Sequence, residues 1–469
     1  MRQGVEVMQQ FVIFGTGLLA VASLVFMLLK KYDIKITLFA VGIVLMYVAV
    51  AMGRATPGGT GFAALDPIMA IVLQFRNTLQ GPGLVILILG GYTAYMNHIG
   101  ANELTVYALT KPLKGVKSVY VLVPVVFLLG NLLSLVIPSA SNLAIILLAT
   151  LYPVLRTSGM SNLTAAGVIA TTATVMPTPL GSDNVAVAAA LGMEVTEYVF
   201  GYHAIVSIPT LLVMAVVHTF WQKFMDGRAL KSGRISAVDL KFEDVKPVSG
   251  GAAFRVVYAI LPLLPIIVLL GFFAVNSAFG TSLGMGVELV TLISFFIAIC
   301  CEAVRHRNGK EVLAGTENFF KGMGNAMAVV ALLVAASIFV AGLTSIGIIA
   351  EVQSAMTEIS GAGVLLPVIM VCFTAVIVLL SGSGTALFFA MIPLLVPLAA
   401  AAGIAPVALS VPLGLSGNLL RAVSPVAAVV VIVAGATKEN PMDIVKRTGL
   451  PMIVGTVFAL ILSIAFFVL

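Results

Sequence analysis

Charge is missing from one membrane-length stretch of this chain after another, and that spacing constrains the fold more than any motif. Residues 11–29 hold no charged side chain. Comparable apolar stretches follow at 34–52, 83–98, 163–192, 203–222, 254–278, 287–304, 326–349, 406–435 and 450–468. About 20 apolar residues in helical form cross the hydrocarbon of a bilayer. No water reaches the backbone there, so each helix must satisfy its own polar groups. The expectation is an all-α membrane protein. Composition agrees: 60% of the 469 residues are hydrophobic and 9% charged, where a soluble domain carries roughly 25% charged residues. The first stretch is longer than the about 7–15 apolar residues of a secretory leader and is read as a retained span. Cys300, Cys301 and Cys372 lie in apolar stretches, which argues against a disulfide framework or a thiolate metal site. The net charge of +6 does not point to nucleic acid, because the charges follow membrane topology instead.

Two further stretches, 119–156 and 364–400, are close to twice one span, and each is interrupted midway by a Ser-rich tip. The first tip reads Pro138-Ser139-Ala140-Ser141-Asn142 and the second Ser381-Gly382-Ser383-Gly384-Thr385. Such a tip at membrane depth is tolerated only against protein or a wet cavity. Two full crossings joined by a polar turn would keep the same parity; the chemistry of the tips favours re-entrant hairpins. With both hairpins re-entrant and the N-terminus outside, 21 of the 25 Lys and Arg fall inside, as the positive-inside rule requires. They include Lys30, Lys31, Lys35, Lys111, Lys114, Lys117 and Arg156, seven in 223–255, four in 305–321, and Lys438, Lys446 and Arg447. Only Arg2, Arg54, Arg76 and Arg421 remain. Both termini are then expected on the outer, periplasmic side.

The chain also repeats itself. Ser139 and Ser381, Ser141 and Ser383, Ser182 and Ser424, and Pro209 and Pro451 each stand 242 positions apart. One offset shared by both tips, both interrupted helices and both final spans describes a duplication. Asn97-His98-Ile99-Gly100 and Thr344-Ser345-Ile346-Gly347 recur at nearly the same spacing. Five crossings per half is an odd number, so the second half must be inverted relative to the first, a construction of secondary transporters. The expected organisation is a first repeat over 1–222, a charged linker at 223–253 containing Gly250-Gly251, and a second repeat over 254–469.

The stretches 163–192 and 406–435 are longer than a tilted span needs, and each is interrupted near its middle. The first interruption is Pro177-Thr178-Pro179-Leu180-Gly181-Ser182-Asp183-Asn184. The second is Gly414-Leu415-Ser416-Gly417-Asn418, followed by Arg421 and Ser424-Pro425. Proline and the residue before it leave helical geometry. A half-helix N-terminus can then face an anion, and freed carbonyls can face a cation. Ser139, Ser141, Asn142, Ser383, Gly384, Thr385, Asn418, Arg421 and Ser424 are the candidate substrate-binding residues. Ser182, Asp183 and Asn184 are candidates for a coupling ion or a charge pair. The plainer reading of such small polar residues is capping or close helix packing. Two symmetric tips, each with its own interrupted helix, weigh against it.

An ionisable residue at the membrane midplane is costly, and so is a functional candidate by default. Arg421 suits a bidentate hydrogen bond to a substrate carboxylate. Asp183 suits a proton, a sodium ion or a structural pair with Arg421. His98, His203 and His218 lie near span ends and read as interfacial or packing residues rather than a proton relay, and Trp221 as an interfacial anchor. No GxxxxGK[ST] loop is present, which argues against an ATP-driven pump. Gly280 to Gly286 is a short loop between spans. The absence of a clustered His/Asp/Glu set argues against a membrane-embedded enzyme, and saturable exchange would distinguish a carrier from a channel.

Several segments together resemble the DcuC family of anaerobic C4-dicarboxylate carriers, within a wider ion-transporter superfamily. They are Gly91 through Asn102 (GYTAYMNHIGAN), Lys111-Pro112-Leu113, Ser182-Asp183, Ser381-Gly382-Ser383-Gly384, Asn418 through Arg421 to Ser424-Pro425-Val426, and Val445-Lys446-Arg447-Thr448. The similarity runs over nearly the whole chain. It implies exchange or cation-coupled transport of succinate, fumarate or malate across a bacterial inner membrane. It also implies hairpins and broken helices that move like an elevator against a dimeric scaffold. Superfamily tips carry Ser-Asn-Thr signatures for carboxylate and sodium, where this chain has Ser-Ala-Ser-Asn and Ser-Gly-Ser-Gly-Thr. The resemblance therefore implies no cofactor beyond a coupling sodium ion or proton. Within the same architecture, citrate, an amino acid or another small organic anion is the alternative cargo.

Overall fold

The computed structural model describes residues 2–30, 32–110, 118–175, 177–231, 252–280, 285–357 and 361–469. Every regular element among them is helical. Most of the expected linker, with Gly250 and Gly251, lies outside the described residues, as do Lys31, Lys111, Lys114 and Lys117.

In the first half, α1 (Arg2–Leu29) precedes α2 (Ile34–Ala51). The Asp33 carboxylate starts α2 by accepting the amides of Lys35 and Ile36 at 2.9 and 3.3 Å. Next, α3 (Asp66–Thr78) runs through a π-helical turn (Leu79–Gly83) into α4 (Leu84–His98). There follow α5 (Ala101–Thr110), α6 (Val119–Ser134), α7 (Ala140–Thr150), α8 (Tyr152–Thr157), α9 (Asn162–Ala170) and α10 (Ser182–Leu191). A short α11 (Val195–Glu197) and a second π-helical turn (Tyr198–His203) lead into α12 (Ala204–Lys231).

The second half opens with α13 (Ala252–Ile260), α14 (Leu264–Phe279), α15 (Val287–His306) and α16 (Gly309–Gly315). Then come α17 (Glu317–Ile346), α18 (Ile348–Thr357), α19 (Ala362–Ser381), α20 (Gly384–Met391) and α21 (Leu395–Ala401). The chain ends with α22 (Val407–Leu420), α23 (Ala428–Thr437) and α24 (Pro441–Phe467). Ten helical stretches among the described residues are long and apolar enough to cross a membrane. Their outer faces carry large apolar side chains such as Phe220, Phe296 and Ile461, where lipid takes the place of water.

Four boundaries differ from the expectation, each for a local reason. The span expected at 83–98 is the second part of a helix that starts at Asp66. Gly81, at φ −105° and ψ −117°, and Pro82 kink it, and the polar residues Gln74, Arg76 and Asn77 hid its first part. The span expected at 203–222 continues to Lys231, into the region expected as linker. The first break spans 171–181 rather than 177–184, so Ser182, Asp183 and Asn184 form the first turn of α10. The second break lies at 421–427, and Gly414 to Asn418 are helical. Those two glycines serve close approach instead: a Cβ on Gly414 would lie 3.0 Å from the Phe388 ring.

Two packed regions surround the breaks. In one, α17 crosses α2 and α4, and a Cβ on Gly342 would stand 2.6 Å from the Gly42 carbonyl oxygen. Small residues of this kind let helix backbones meet where lipid gives no hydrophobic drive. Beside this crossing, Phe295 stacks on Phe319 with ring centroids 4.2 Å apart and meets Tyr95 edge-on at 4.9 Å. In the other region, α12 and α24 pack together and against α6, α9 and α22.

Candidate functional site

Both hairpins meet the break of their own half, through different chemistry. In the first, α6 brings Asn131 against the break. Its side-chain oxygen accepts the Thr174 and Val175 amides at 3.2 and 3.1 Å, two donors of the break that have left the helical ladder of α9. Near the tip, the Leu135 carbonyl accepts the Thr178 hydroxyl at 2.8 Å. In the second, the Leu379 carbonyl of α19 accepts the Ser424 hydroxyl at 2.9 Å. The tip itself is packed on glycine: a Cβ on Gly384 would fall 1.8 Å from the Gly417 carbonyl oxygen. Any side chain there would force the two backbones apart.

The two breaks then meet each other. Asp183 sits in the first turn of α10, where the helix dipole favours an acid, and its carboxylate accepts the Asn184 amide at 3.0 Å. Asn418, on α22, donates to the same carboxylate at 3.1 Å. Arg421 caps the C-terminal end of α22, where the dipole favours a cation, and donates to the Ala173 carbonyl of the first break. Ala173 is held at φ 59°, a left-handed conformation uncommon for a residue with a Cβ. Each charge is thus held by a neutral group of the other half. The Asp183–Arg421 pair weighed above is not formed. The Nε of Arg421 is buried and has no hydrogen-bond partner among the described residues.

The structure therefore brings together Asp183, Asn184, Asn418 and Arg421, with Gly384 one contact away. Ser139 caps α7, accepting the Asn142 amide at 3.4 Å. The side chains of Ser141, Asn142, Ser383 and Thr385 lie at the tips, none of them fully buried. Ser182 opens α10 and is half-buried. Ser424 is fully buried with its hydroxyl turned to Leu379, so it ties the second break to its hairpin.

Two residues matter more than their sequence surroundings indicated. Asn131 is the one amide in the apolar run of α6, and that isolation is the signal that marks it. His218 does not sit at a span end. It lies within α12, fully buried, with Nε2 2.9 Å from the Thr171 hydroxyl where α9 ends. His203 is likewise buried in the protein, as its packing alternative has it. Trp221 donates its indole N–H to the Lys446 carbonyl at 2.9 Å, which anchors α12 to α24.

Known structures share this architecture. The chain superposes on MtrF of Neisseria gonorrhoeae, described as representing a class of antimetabolite efflux pumps, with a TM-score of 0.58. That match has 15% identity and covers 93% of this chain and 96% of the other. The YdaH transporter of Alcanivorax borkumensis matches with a TM-score of 0.59 and 15% identity, over 92% of this chain and 96% of that one. At such identity the likeness is one of fold. Sequence relatives go further. The anaerobic C4-dicarboxylate transporter DcuC of Escherichia coli K12 is 34% identical over 97% of this chain and 96% of its own length. A probable anaerobic C4-dicarboxylate transporter DcuC of Vibrio cholerae is 34% identical over 95% of this chain. The model of the family described as C4-dicarboxylate anaerobic carrier, DcuC, matches residues 15–468. The chain is a multi-pass membrane protein and belongs to the DcuC family.

Proposed function

We propose that this protein carries C4-dicarboxylates such as succinate, fumarate and malate across a bacterial inner membrane, by exchange or coupled to a cation. The observation that carries the reading is Arg421. It is a half-buried cation between two broken helices, its buried Nε has no hydrogen-bond partner among the described residues, and the neighbouring acid is already held by Asn418. A carboxylate arriving there gains a charge-assisted hydrogen bond. The tip groups Ser141, Asn142, Ser383 and Thr385 supply neutral donors for the second carboxylate. The names borne by the Escherichia coli and Vibrio cholerae relatives support the substrate class.

The same reading takes the halves as inverted repeats of five crossings with both termini outside. The 242-residue offset and the paired ties, Thr178 to Leu135 and Ser424 to Leu379, support it. Sodium or a proton at Asp183 or at the tips, elevator movement and a homodimeric scaffold complete it, on the strength of the family resemblance.

Proteoliposomes loaded with fumarate and given radiolabelled succinate test the proposal, with sodium and proton gradients varied in turn. Saturable uptake, stimulated by internal fumarate and blocked by malate, is expected. No competition by any C4-dicarboxylate overturns the substrate class, and competition by citrate or an amino acid instead redirects it. Arg421→Ala should lower uptake about 10–100-fold, the loss of a hydrogen bond between charged groups. Wild-type affinity in that variant removes Arg421 from the site.

A further inference from the structure

Two neighbouring helices end their exposed apolar stripes in a cation at the same level. On α12 the exposed side chains step by four residues through Leu212, Val216, Phe220 and Phe224, and the next step is Arg228. On α24 they run back through Ile461, Val457, Ile453 and Leu450 to Lys446. Steps of three and four residues keep to one face of a helix, so each face is apolar along its length and charged at its end. Gly455 meets Met214, and Trp221 reaches Lys446. The helices therefore run antiparallel, and both cations fall at one end. Between them the surface opens into a cavity of about 620 Å³, lined by Trp221, Arg228, Asp443, Lys446 and Arg447.

The back wall of the cavity is a buried polar chain. Arg447 pairs with Asp226 at 2.8 Å, and Asp226 also accepts from Thr164 at 2.9 Å and Ser161 at 2.8 Å. Gln222 donates to the Arg447 carbonyl at 2.9 Å. Through Gln222 and His218, 3.2 Å apart, the chain continues to Thr171 at the first break. At the mouth, Lys446 donates one N–H to Asp443 at 2.8 Å and keeps two. Arg228 is exposed, with no hydrogen bond or ion pair among the described residues. Arg447 is cancelled by Asp226 and Lys446 by Asp443, which leaves one net positive charge, on Arg228.

What leads to the cavity says what fills it. An acyl chain lying against Phe220 and Phe224, or against Ile453, carries its own headgroup to the level of Arg228 and Lys446. The phosphate then arrives at a high effective concentration, which a free anion lacks. Trp221 stacks on Phe224 with ring centroids 5.5 Å apart. It thus stands where the apolar stripe gives way to charge, the level at which tryptophan collects at membrane interfaces. A phosphate diester accepts charge-assisted hydrogen bonds from both guanidinium and ammonium. Its single negative charge matches the single net positive charge of the cavity. Basic pockets between spanning helices take headgroups of this kind.

We propose that the cavity between α12 and α24 binds the phosphate diester of an anionic phospholipid such as phosphatidylglycerol. Arg228 and Lys446 hold the phosphate, and the acyl chains lie along the two apolar stripes. The lipid clamps the facing ends of α12 and α24 over the Arg447–Asp226 pair, and so steadies the seat of α9. This site makes no use of the transported cargo and stands apart from the proposed function.

Trp221 is the one tryptophan in the sequence and lines the cavity, so its emission reports the site. Full-length protein, purified and stripped of lipid in a maltoside detergent, is titrated with phosphatidylglycerol. A saturable change in emission is expected, with a rise in melting temperature, because a ligand bound only by the folded state stabilises it. Arg228→Gln combined with Lys446→Gln should melt with the wild type before lipid is added, since both side chains are exposed. It should bind about thirtyfold more weakly, two surface cations at their usual worth. Asp443→Asn frees the Lys446 ammonium and should tighten binding about two- to fivefold, the worth of an exposed ion pair. No loss of packing could produce that gain. Inorganic phosphate, which brings no chains, and diacylglycerol, which brings no phosphate, should each leave the emission unchanged at the same concentration. A titration that is absent from the wild type, or unchanged in the double variant, overturns the proposal. So does an equal response to inorganic phosphate, which gives the cavity to a soluble anion, or to diacylglycerol, which makes it a site for chains alone.

Discussion

The two broken helices do the same geometric work with opposite materials. The first break, 171–181, is long, contains a left-handed alanine, and is held by polar side chains: Asn131 on its backbone amides, His218 on Thr171, and the Leu135 carbonyl on Thr178. The second, 421–427, begins with a short 3-10 turn and is held by packing, with Gly384 pressed on Gly417 and one hydroxyl, Ser424, tied to its hairpin. The polar seat leaves an acid at a helix start, and the packed seat leaves a base at a helix end. The two breaks thus hold two unlike charges, and each half supplies the neutral group that holds the other half's charge. Polar bracing can be altered by protonation, whereas glycine packing cannot.

The comparison is most easily broken at the foot of the polar seat. Arg447→Met leaves Asp226 buried beside two hydroxyls without its cation. Removing one partner of a buried pair costs about 3–5 kcal/mol, so the purified variant should melt well below the wild type. Adding Asp226→Leu should recover most of the loss, because the stranded charge goes with it. A single variant that melts with the wild type would show that the polar chain carries no weight in seating α9.

The packed seat is tested by bulk. Gly384→Ala places a methyl where the Gly417 carbonyl stands, so the tip must shift. Overpacking of this kind costs about 1–3 kcal/mol, and succinate binding measured by calorimetry should weaken with it. Ser383→Ala, one residue away and exposed, should change stability by less than about 0.5 kcal/mol. Equal behaviour of the two variants would mean that the tip does not close on α22.

Much of this could be read from the residues, and the exceptions have physical causes. The Ser-rich tips stand out because polar turns inside apolar runs have few permitted places; the second run turns within its tip, at 382–383, and the first at 135–139, three residues ahead of its tip, with Ala140 to Asn142 already in α7. Asp183 and Arg421 stood out as charges far from any span end. Gly414 and Gly417 look like helix breakers in the sequence and draw the second break too early; only the facing Phe388 ring and Gly384 backbone reveal them as contact points. Ala173 carries no local mark: its left-handed backbone stands between the amides that Asn131 accepts and the carbonyl that Arg421 reaches, contacts from distant parts of the chain. His218 reads as a span-end residue because the charges after Trp221 look like a linker, whereas they belong to α12. Asn131 was legible in principle, as a lone amide in an apolar helix.

The finest test compares one hydrogen-bonding residue from each seat. Asn131→Ala strips the acceptor from two buried amides, which costs about 1–3 kcal/mol. Ser424→Ala removes a single neutral hydrogen bond to one carbonyl in the last turn of α19, so about 1 kcal/mol is expected. Melting of both variants ranks the seats directly, and a larger loss in Ser424→Ala would invert the contrast drawn here. The double variant asks a further question. Independent sites add to within about 0.5 kcal/mol, and the two residues share no partner. Yet Asn418 reaches Asp183 and Arg421 reaches Ala173 across the halves. If those two bonds lock the breaks into one body, loosening one seat loosens the other. The double variant should then lose measurably less than the sum, because the first substitution has already freed part of what the second would release.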